Sequence, residues 1–458
     1  MDKRFPLADQ IEMLDAALKG RVVTPGHAEY DALRAVTLGN FDRRPAAVIR
    51  VANAADVAAV LNFARGSALE VAVRSGGHST CGHSGSEGGL VIDLRDLNDI
   101  EIDTAAEAAW AGAGLTAGEV TAAVEKHGLI VGFGDSATVG IGGLTLGGGI
   151  GYLVRKYGLT IDSLLAAEVV TAAGDILVAD EGNHPELFWA LRGGGGNFGV
   201  VTRLKYRLYP LPAFTGGPLV LPATAETIAG FVAAAQAAPE ALSTIAMVMP
   251  APPMPFLPPE VHGQTVLLGM MAYAGEPEAA ARALAPFRAL ATPLADLVGP
   301  ASYSSMYLPE DPNEKPAVSV RTGFMERIGR DEAAAMLATL GRCEAPMRVA
   351  QIRVLGGAMA RVPATATAFA HRQRPIMMAY LALYGDAAEQ ARHDGWATEG
   401  MAALPLGEDG AYVNFLGVAE ERLGAAYPNP TLERLRQIKG QYDPENMFRL
   451  NHNILPAA

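Results

Sequence analysis

Apolar and polar residues alternate along residues 199–208. Val200, Leu204, Tyr206 and Leu208 share one face, and Arg203, Lys205 and Arg207 the other, the period-two pattern of a half-buried strand. Upstream, 46–51 reads as a strand, Asn53 as the N-cap of a helix to about residue 64, and 69–74 and 88–94 as two further strands. This predicts a small α/β unit near the N-terminus. Residues 116–127 carry apolar positions at helical spacing and stop at Gly128, a C′ glycine. Residues 164–171 are strand-like and 185–191 helix-like.

Pro210-Leu211-Pro212 then breaks the pattern, and a domain boundary is expected there. Beyond it, Ala-rich helical stretches at about 224–238, 275–291 and 330–341 alternate with strand-like runs at 265–273, 347–356 and 376–384, which predicts a second α+β unit. The proline-rich run 250–259 reads as a stiff apolar loop. Residues 412–454 read as a strand, a helix around 431–439 and a turn-rich tail.

Composition narrows the function classes. The 36 Lys and Arg are outnumbered by 49 Asp and Glu, and a net charge of −13 disfavours nucleic acid and anionic membrane surfaces as partners. Two cysteines, Cys81 and Cys343, make neither a disulfide framework nor a four-cysteine zinc site. The charged start at Met1-Asp2-Lys3-Arg4 precedes no apolar run, so no signal peptide is expected. No span of about 18 apolar residues suggests a membrane helix. A soluble, cytoplasmic protein is expected.

The 51 glycines concentrate between Gly76 and Gly199. There is no Gly-Lys pair, hence no P-loop, and no metalloprotease histidine pair or nucleophile elbow. Gly194–Gly199 matches G-x-G-x-x-G but follows a helix pattern and precedes a strand, the reverse of a dinucleotide-binding turn. Two other clusters remain. Arg74-Ser75-Gly76-Gly77-His78-Ser79 ends a strand and reads either as a concave anion site with Ser75 and Arg74 as donors, Arg74 being alternatively structural, or as a tight turn with a surface histidine. From Gly140 to Gly151 seven of twelve residues are glycine, which opposes regular structure. It reads as backbone lying against a flat ligand or as a packing turn.

These two clusters, together with 155–162, 188–202 (Phe-Trp-Ala-Leu-Arg-Gly-Gly-Gly-Gly-Asn-Phe-Gly-Val-Val-Thr) and the tail 442–454, resemble in order and spacing the berberine-bridge-enzyme-like FAD-linked oxidases of the vanillyl-alcohol-oxidase (PCMH-type) flavoprotein superfamily. The resemblance runs from about residue 40 to 456. It implies an α+β, two-domain PCMH-type FAD-binding fold. A discontinuous FAD domain (1–210, rejoined by 410–458) would be paired with a sheet-plus-helices substrate domain (211–409) whose exposed sheet face roofs the flavin.

The resemblance also implies roles. His78 matches the histidine that carries FAD through an 8α bond. Ser136 stands where many members have a second, cysteine link, so that thioether bond is not expected. Val139 matches a position that gates oxygen. Leu144 stands where plant members often carry histidine. Ser75, Gly76, Gly77, Ser79, Thr138, Gly140, Gly142, Gly143 and Gly149 fall in the loops implied to cover the cofactor. Gly199 and Val201 match backbone near the adenine. Asn451 and Asn453 match tail residues near the ring, where amide donors would support its N1–C2=O edge once reduced.

Tyr412-Val413-Asn414-Phe415 resembles a family strand. Alternation places Tyr412 and Asn414 on one face, making Tyr412 the candidate catalytic hydroxyl, against a purely packing role. His371-Arg372 is expected to pack structurally, Cys81 to be a small buried thiol, and His83 and His127 to lie at the surface. The expected reaction is two-electron oxidation of a C–H next to a hydroxyl or amine of a small, largely apolar molecule, with O₂ reduced to peroxide. Residues 247–259 are expected either to wall its pocket or merely to pack on the surface. A flavin dehydrogenase, a non-catalytic flavin binder and a nicotinamide enzyme are the alternatives. The oligomeric state is left open.

Overall fold

The computed structural model describes residues 6–311, 313–406, 410–417 and 422–457. The charged start, Met1–Phe5, and the boundary expected at residue 409 lie outside the described residues.

Near the N-terminus, Arg21–Val23, Ala47–Arg50, Leu90–Asp93 and Val71–Arg74 lie side by side in a four-stranded sheet, the last three mutually parallel. Parallel neighbours need a crossover. Helix Ala54–Ser67 supplies one, opened by Asn53, whose side chain accepts the Asp56 N–H at 3.0 Å. Its Val57, Val60 and Leu61 pack on Val71, Leu90 and Ile92.

A second, antiparallel sheet runs Ile100–Asp103, Ala108–Gly112, Val200–Arg207, Leu164–Val170, Ile176–Asp180. The alternation read at 199–208 has its expected consequence: Leu204 and Tyr206 are buried, and Arg207 is exposed. Helix Ala117–Glu125 starts with a reciprocal cap. The Thr116 N–H donates to Glu119 Oε2 at 2.8 Å, and the Glu119 N–H to Thr116 Oγ1 at 3.3 Å. Losing such a cap costs about 1 kcal/mol.

Residues 214–384 build an antiparallel eight-stranded sheet. Its long strands lie in the order Phe214–Pro222, Thr265–Ala274, Leu242–Pro250, Met347–Val354, Ile376–Tyr384, Ala317–Met325. Helices Ala225–Ala237, Pro277–Arg288, Arg330–Gly341 and Gln390–Ala402 cover one face. There Phe231, Phe287, Met336 and Met401 meet Leu221, Val248 and Leu267. Alternate residues Val220, Ile245 and Leu268 point the other way and pack with Tyr152 and Leu153 of the first segment. The proline-rich loop joins this second cluster through Ala251 and Leu257. It packs on the sheet and does not line the cavity, the second of its two expected roles.

The tail differs from its reading too. The strand expected at 412 is a short 3₁₀ turn, Val413–Phe415, followed by helix Thr431–Tyr442. The buried Lys439 ammonium donates to Asp443 at 2.6 Å and to the carbonyls of Asn197 and Phe448 at 2.9 Å each, which clasps the tail to the glycine-rich 193–199 segment. Among the described residues no helix is long and apolar enough to cross a membrane.

Candidate active site

A cavity of about 430 Å³ opens between the two glycine clusters, the edge of the large sheet and the returning tail. That is ample for a cofactor site. Ser75, Gly76, Gly77, His78 and Ser79 line one side, following directly on strand Val71–Arg74. Ser136, Val139, Gly140, Gly142 and Gly143 line another. Gly199 and Val201 lie in the wall where the second sheet begins, Asn451 in the tail wall, and Tyr412 with Asn414 and Phe415 in the wall formed by the 3₁₀ turn.

The glycine density has two causes. The clusters touch each other: a Cβ on Gly76 would lie 2.2 Å from the Gly140 nitrogen. A Cβ on Gly147 would lie 1.9 Å from Asn414 Oδ1. These glycines answer to close protein packing. Gly143, by contrast, has nothing within 4 Å of such an atom and faces the cavity. Contrary to expectation, the run contains a helix, Ile141–Gly147.

Four expected site residues do not line the cavity. Arg74 is structural: its buried guanidinium donates to the carbonyls of Arg34 and Ala35 at 3.2 and 3.1 Å and pairs with Asp93 at 3.3 Å. Burial lowers its pKa to about 10, against the pull of Asp93. Gly149 stands behind the wall, where its N–H donates to the Tyr412 hydroxyl at 2.9 Å. Thr138 bonds to His78 from outside the wall, and Asn453 follows the lining residue His452 in the tail. Two serines spend their hydroxyls on the protein's own backbone. Ser75 donates to the Ala113 carbonyl at 2.6 Å, and Ser79 accepts the N–H groups of Cys81 and His83 at 3.3 and 3.2 Å.

Tyr412 is 3% exposed, more enclosed than a half-buried strand residue. Its oxygen accepts from the Gly149 N–H and from Asn414 Nδ2, each at 2.9 Å. Asn414 uses its other amide proton on the Leu144 carbonyl at 3.0 Å, which fixes the amide's orientation. With both oxygen lone pairs engaged, the phenolic proton is left for a third direction. Burial pushes the hydroxyl's pKa up. The donors at Gly149 and Asn414 and the charge of Arg353 act against this. The expected meeting of Tyr412 and Asn414 therefore occurs, through a turn and not through strand alternation.

His78 is held by Thr138, with Nε2 and Oγ1 2.9 Å apart. Burial lowers its pKa, although the Glu310 charge and a hydrogen bond to the Thr138 backbone oppose the shift. His83, expected at the surface, faces the cavity beside His452, their rings edge to face at 5.0 Å. Burial lowers their pKa values to about 3 and about 4, respectively. Cys81 is buried, as read, with Sγ 3.1 Å from the Leu416 carbonyl. His371 and Arg372 do pack structurally, Arg372 gripping both Asp162 oxygens at 2.7 and 2.8 Å.

The residues fit FAD. A cavity running from His78 to Gly199 suits a long ligand, and Gly143 leaves room for close backbone approach. In addition, the Oδ1 atoms of Asn451 and Asn453 are buried without a hydrogen-bond partner among the described residues. This changes the role expected for Asn451. Its Nδ2 already donates to the carbonyls of Gly196 and Phe448 at 3.1 and 2.8 Å. What it offers a ligand is an acceptor, suited to a ring N–H and not to a carbonyl.

Sequence and structure comparisons agree with this geometry. The model of the FAD binding domain matches residues 45–180, and that described as berberine and berberine like matches residues 411–455. The (R)-6-hydroxynicotine oxidase of Paenarthrobacter nicotinovorans is 30% identical over 474 residues, covering 96% of this chain and 98% of its own. The crystal structure of the 6-hydroxy-D-nicotine oxidase from Arthrobacter nicotinovorans superimposes with a TM-score of 0.85 at 28% identity, over 96% of this chain and 98% of that one. Physcomitrella patens BBE-like 1 shares the fold, with a TM-score of 0.86 at 22% identity over 97% of this chain and 99% of its own. The chain belongs to the berberine-bridge-enzyme-like, PCMH-type FAD-linked oxidoreductases.

Proposed function

We propose that this FAD-dependent oxidoreductase is an oxidase. It would remove two electrons from a C–H next to a hydroxyl or amine of a small, largely apolar molecule and pass them to O₂. The observation that carries the proposal is the Tyr412 hydroxyl, enclosed in the cavity wall with both lone pairs engaged. Its proton is directed to bind and orient a substrate oxygen or nitrogen, and its ionised form would accept the proton that the substrate gives up. Leu144, Ile150, Val318 and Phe415 make the neighbouring wall apolar, which excludes water and favours a substrate with little charge. Bound FAD supplies the two-electron acceptor, and the protein supplies orientation and electrostatics. Ser75–Ser79 and Val139–Gly143 would hold it, joined covalently through His78, whose Nε2 is engaged by Thr138. The (R)-6-hydroxynicotine oxidase relative is consistent with an amine substrate.

The test begins with a visible spectrum of the purified protein. Candidate amines and alcohols are then added anaerobically, followed by air, with hydrogen peroxide counted per electron pair. Bleaching followed by stoichiometric peroxide supports the proposal. Reduced flavin that persists in air makes the protein a dehydrogenase. Val139 lines the cavity with a short side chain beside the glycine run. Val139→Leu is expected to slow reoxidation by air and leave anaerobic reduction largely intact, as read by stopped flow on each half-reaction. Equal reoxidation rates in the two proteins would remove Val139 from any gating role.

A further inference from the structure

Glu310 lies far from the glycine clusters in sequence, in the segment after the short turn Ser304–Met306, yet its side chain reaches the cavity wall. One carboxylate oxygen accepts from Ser136 Oγ at 2.6 Å, the other from Thr138 Oγ1 at 2.5 Å. Thr138 in turn lies 2.9 Å from His78 Nε2. A carboxylate only accepts, and a threonine hydroxyl has a single proton to give. Since Thr138 gives that proton to Glu310, it receives one from His78. The imidazole therefore carries its proton on Nε2 and its lone pair on Nδ1.

We infer that Glu310 is a positioning residue for His78: acting through Thr138, it fixes the tautomer whose Nδ1 is the nucleophile for attachment to FAD. The inference rests on the covalent link proposed above and adds to it the residues that prepare the histidine. Ser136, at the position where many family members have a cysteine, serves here as the second hydrogen-bond anchor for the same carboxylate.

The attachment balances as follows. His78 Nδ1 would form a bond to the 8α carbon of FAD as one C–H bond at that carbon breaks, its proton leaving to solvent and its electron pair going to the flavin ring. Dioxygen would then take that pair, with two protons, as hydrogen peroxide. The Nε2 proton passes to Thr138 as the hydroxyl proton of Thr138 passes to Glu310. In sum, imidazole N–H, methyl C–H and O₂ give the C–N bond and hydrogen peroxide.

The discriminating variant is Glu310→Gln. It keeps the size of the side chain but lets an amide N–H face Thr138, which then donates to Nε2 and drives the His78 proton onto Nδ1. A merely structural contact would survive this change. Full-length chain from riboflavin-limited cells is mixed with FAD in air, and acid-precipitable flavin is followed over time. Attachment in Glu310→Gln is expected to slow by roughly 10²-fold, the low end of what a positioned proton acceptor gives. Thr138→Val should slow it similarly, whereas Glu310→Asp should recover much of the rate. Nitrogen-15 spectra of histidine-labelled, flavin-free protein should show a pyridine-like Nδ1 and a pyrrole-like Nε2 at His78, exchanged in Glu310→Gln.

Attachment by Glu310→Gln at the parent rate would overturn the inference, as would the Nδ1–H tautomer in the parent. If the parent holds FAD but never acid-stably, the covalent link itself is wrong, and the attachment role falls with it. The spectra would then still decide whether Glu310 sets the tautomer.

Discussion

Tyr412→Phe is expected to lower the rate of anaerobic flavin reduction by roughly 10²–10⁴-fold, the span that a positioned acid–base group commonly contributes. The substitution keeps the ring, which packs against Phe369 and Phe415, and deletes only the oxygen. Two donors lose their acceptor, the Gly149 N–H and one proton of Asn414 Nδ2. Each buried group so stranded costs about 1–3 kcal/mol, so a lower melting temperature should accompany the kinetic defect.

The two effects separate by pH. Burial raises the pKa of the Tyr412 hydroxyl, so its ionised fraction grows only on the alkaline side of neutrality. The reduction rate of the parent should climb with pH there, and that of Tyr412→Phe should stay flat. FAD content should be normal in both. A variant that reduces its flavin at the parent rate would return Tyr412 to a packing role.

His78→Ala is expected to abolish acid-stable flavin altogether. Parent protein precipitated with acid should pellet yellow, and a tryptic peptide containing His78 should carry the mass of FAD. The variant should still fold, because Gly76 and Gly140 keep their backbone contact and the loop hydroxyls keep their partners. It should bind FAD noncovalently and release it into the acid supernatant. It should also be a weaker oxidant, since an electron-withdrawing 8α substituent makes the flavin easier to reduce. Parent flavin found in the supernatant would refute the covalent link. Flavin mass on a peptide lacking His78 would show that the loop had been misread.

Local signals made much of the first segment legible. The Asn53 cap, the alternation at 199–208 and helix Pro185–Leu191 all lie where their residues predict. Strands Phe214–Pro222, Leu242–Pro250 and Ala317–Met325 were not read from the sequence. Strands covered on both faces lose the alternation that announces a strand: all but two residues of Leu242–Pro250 are buried, and all but one of Ala317–Met325, although the latter lies at the sheet's edge.

Site geometry was legible wherever a loop carried its own chemistry, as at His78. It was not where the partner is distant in sequence. Arg74 looked like a phosphate donor because Asp93 and the Arg34 and Ala35 carbonyls that bind it are not neighbours along the chain. Glu310 had no motif around it. His83 is placed five residues after His78 in the same loop, and that proximity was the available hint of its place in the wall.

The clasp at Lys439 bears on the order in which a living cell can build this protein. The cavity's walls come from segments far apart along the chain: Ser75–Ser79 are synthesised well before Tyr412, Asn451 and His452. Until helix Thr431–Tyr442 has left the ribosome, no ammonium ties the tail to the Asn197 and Phe448 carbonyls, and one side of the site stands open to water. Closure of the site therefore awaits synthesis of this tail, and a chain stopped short of residue 439 should leave the ribosome without a closed site to load.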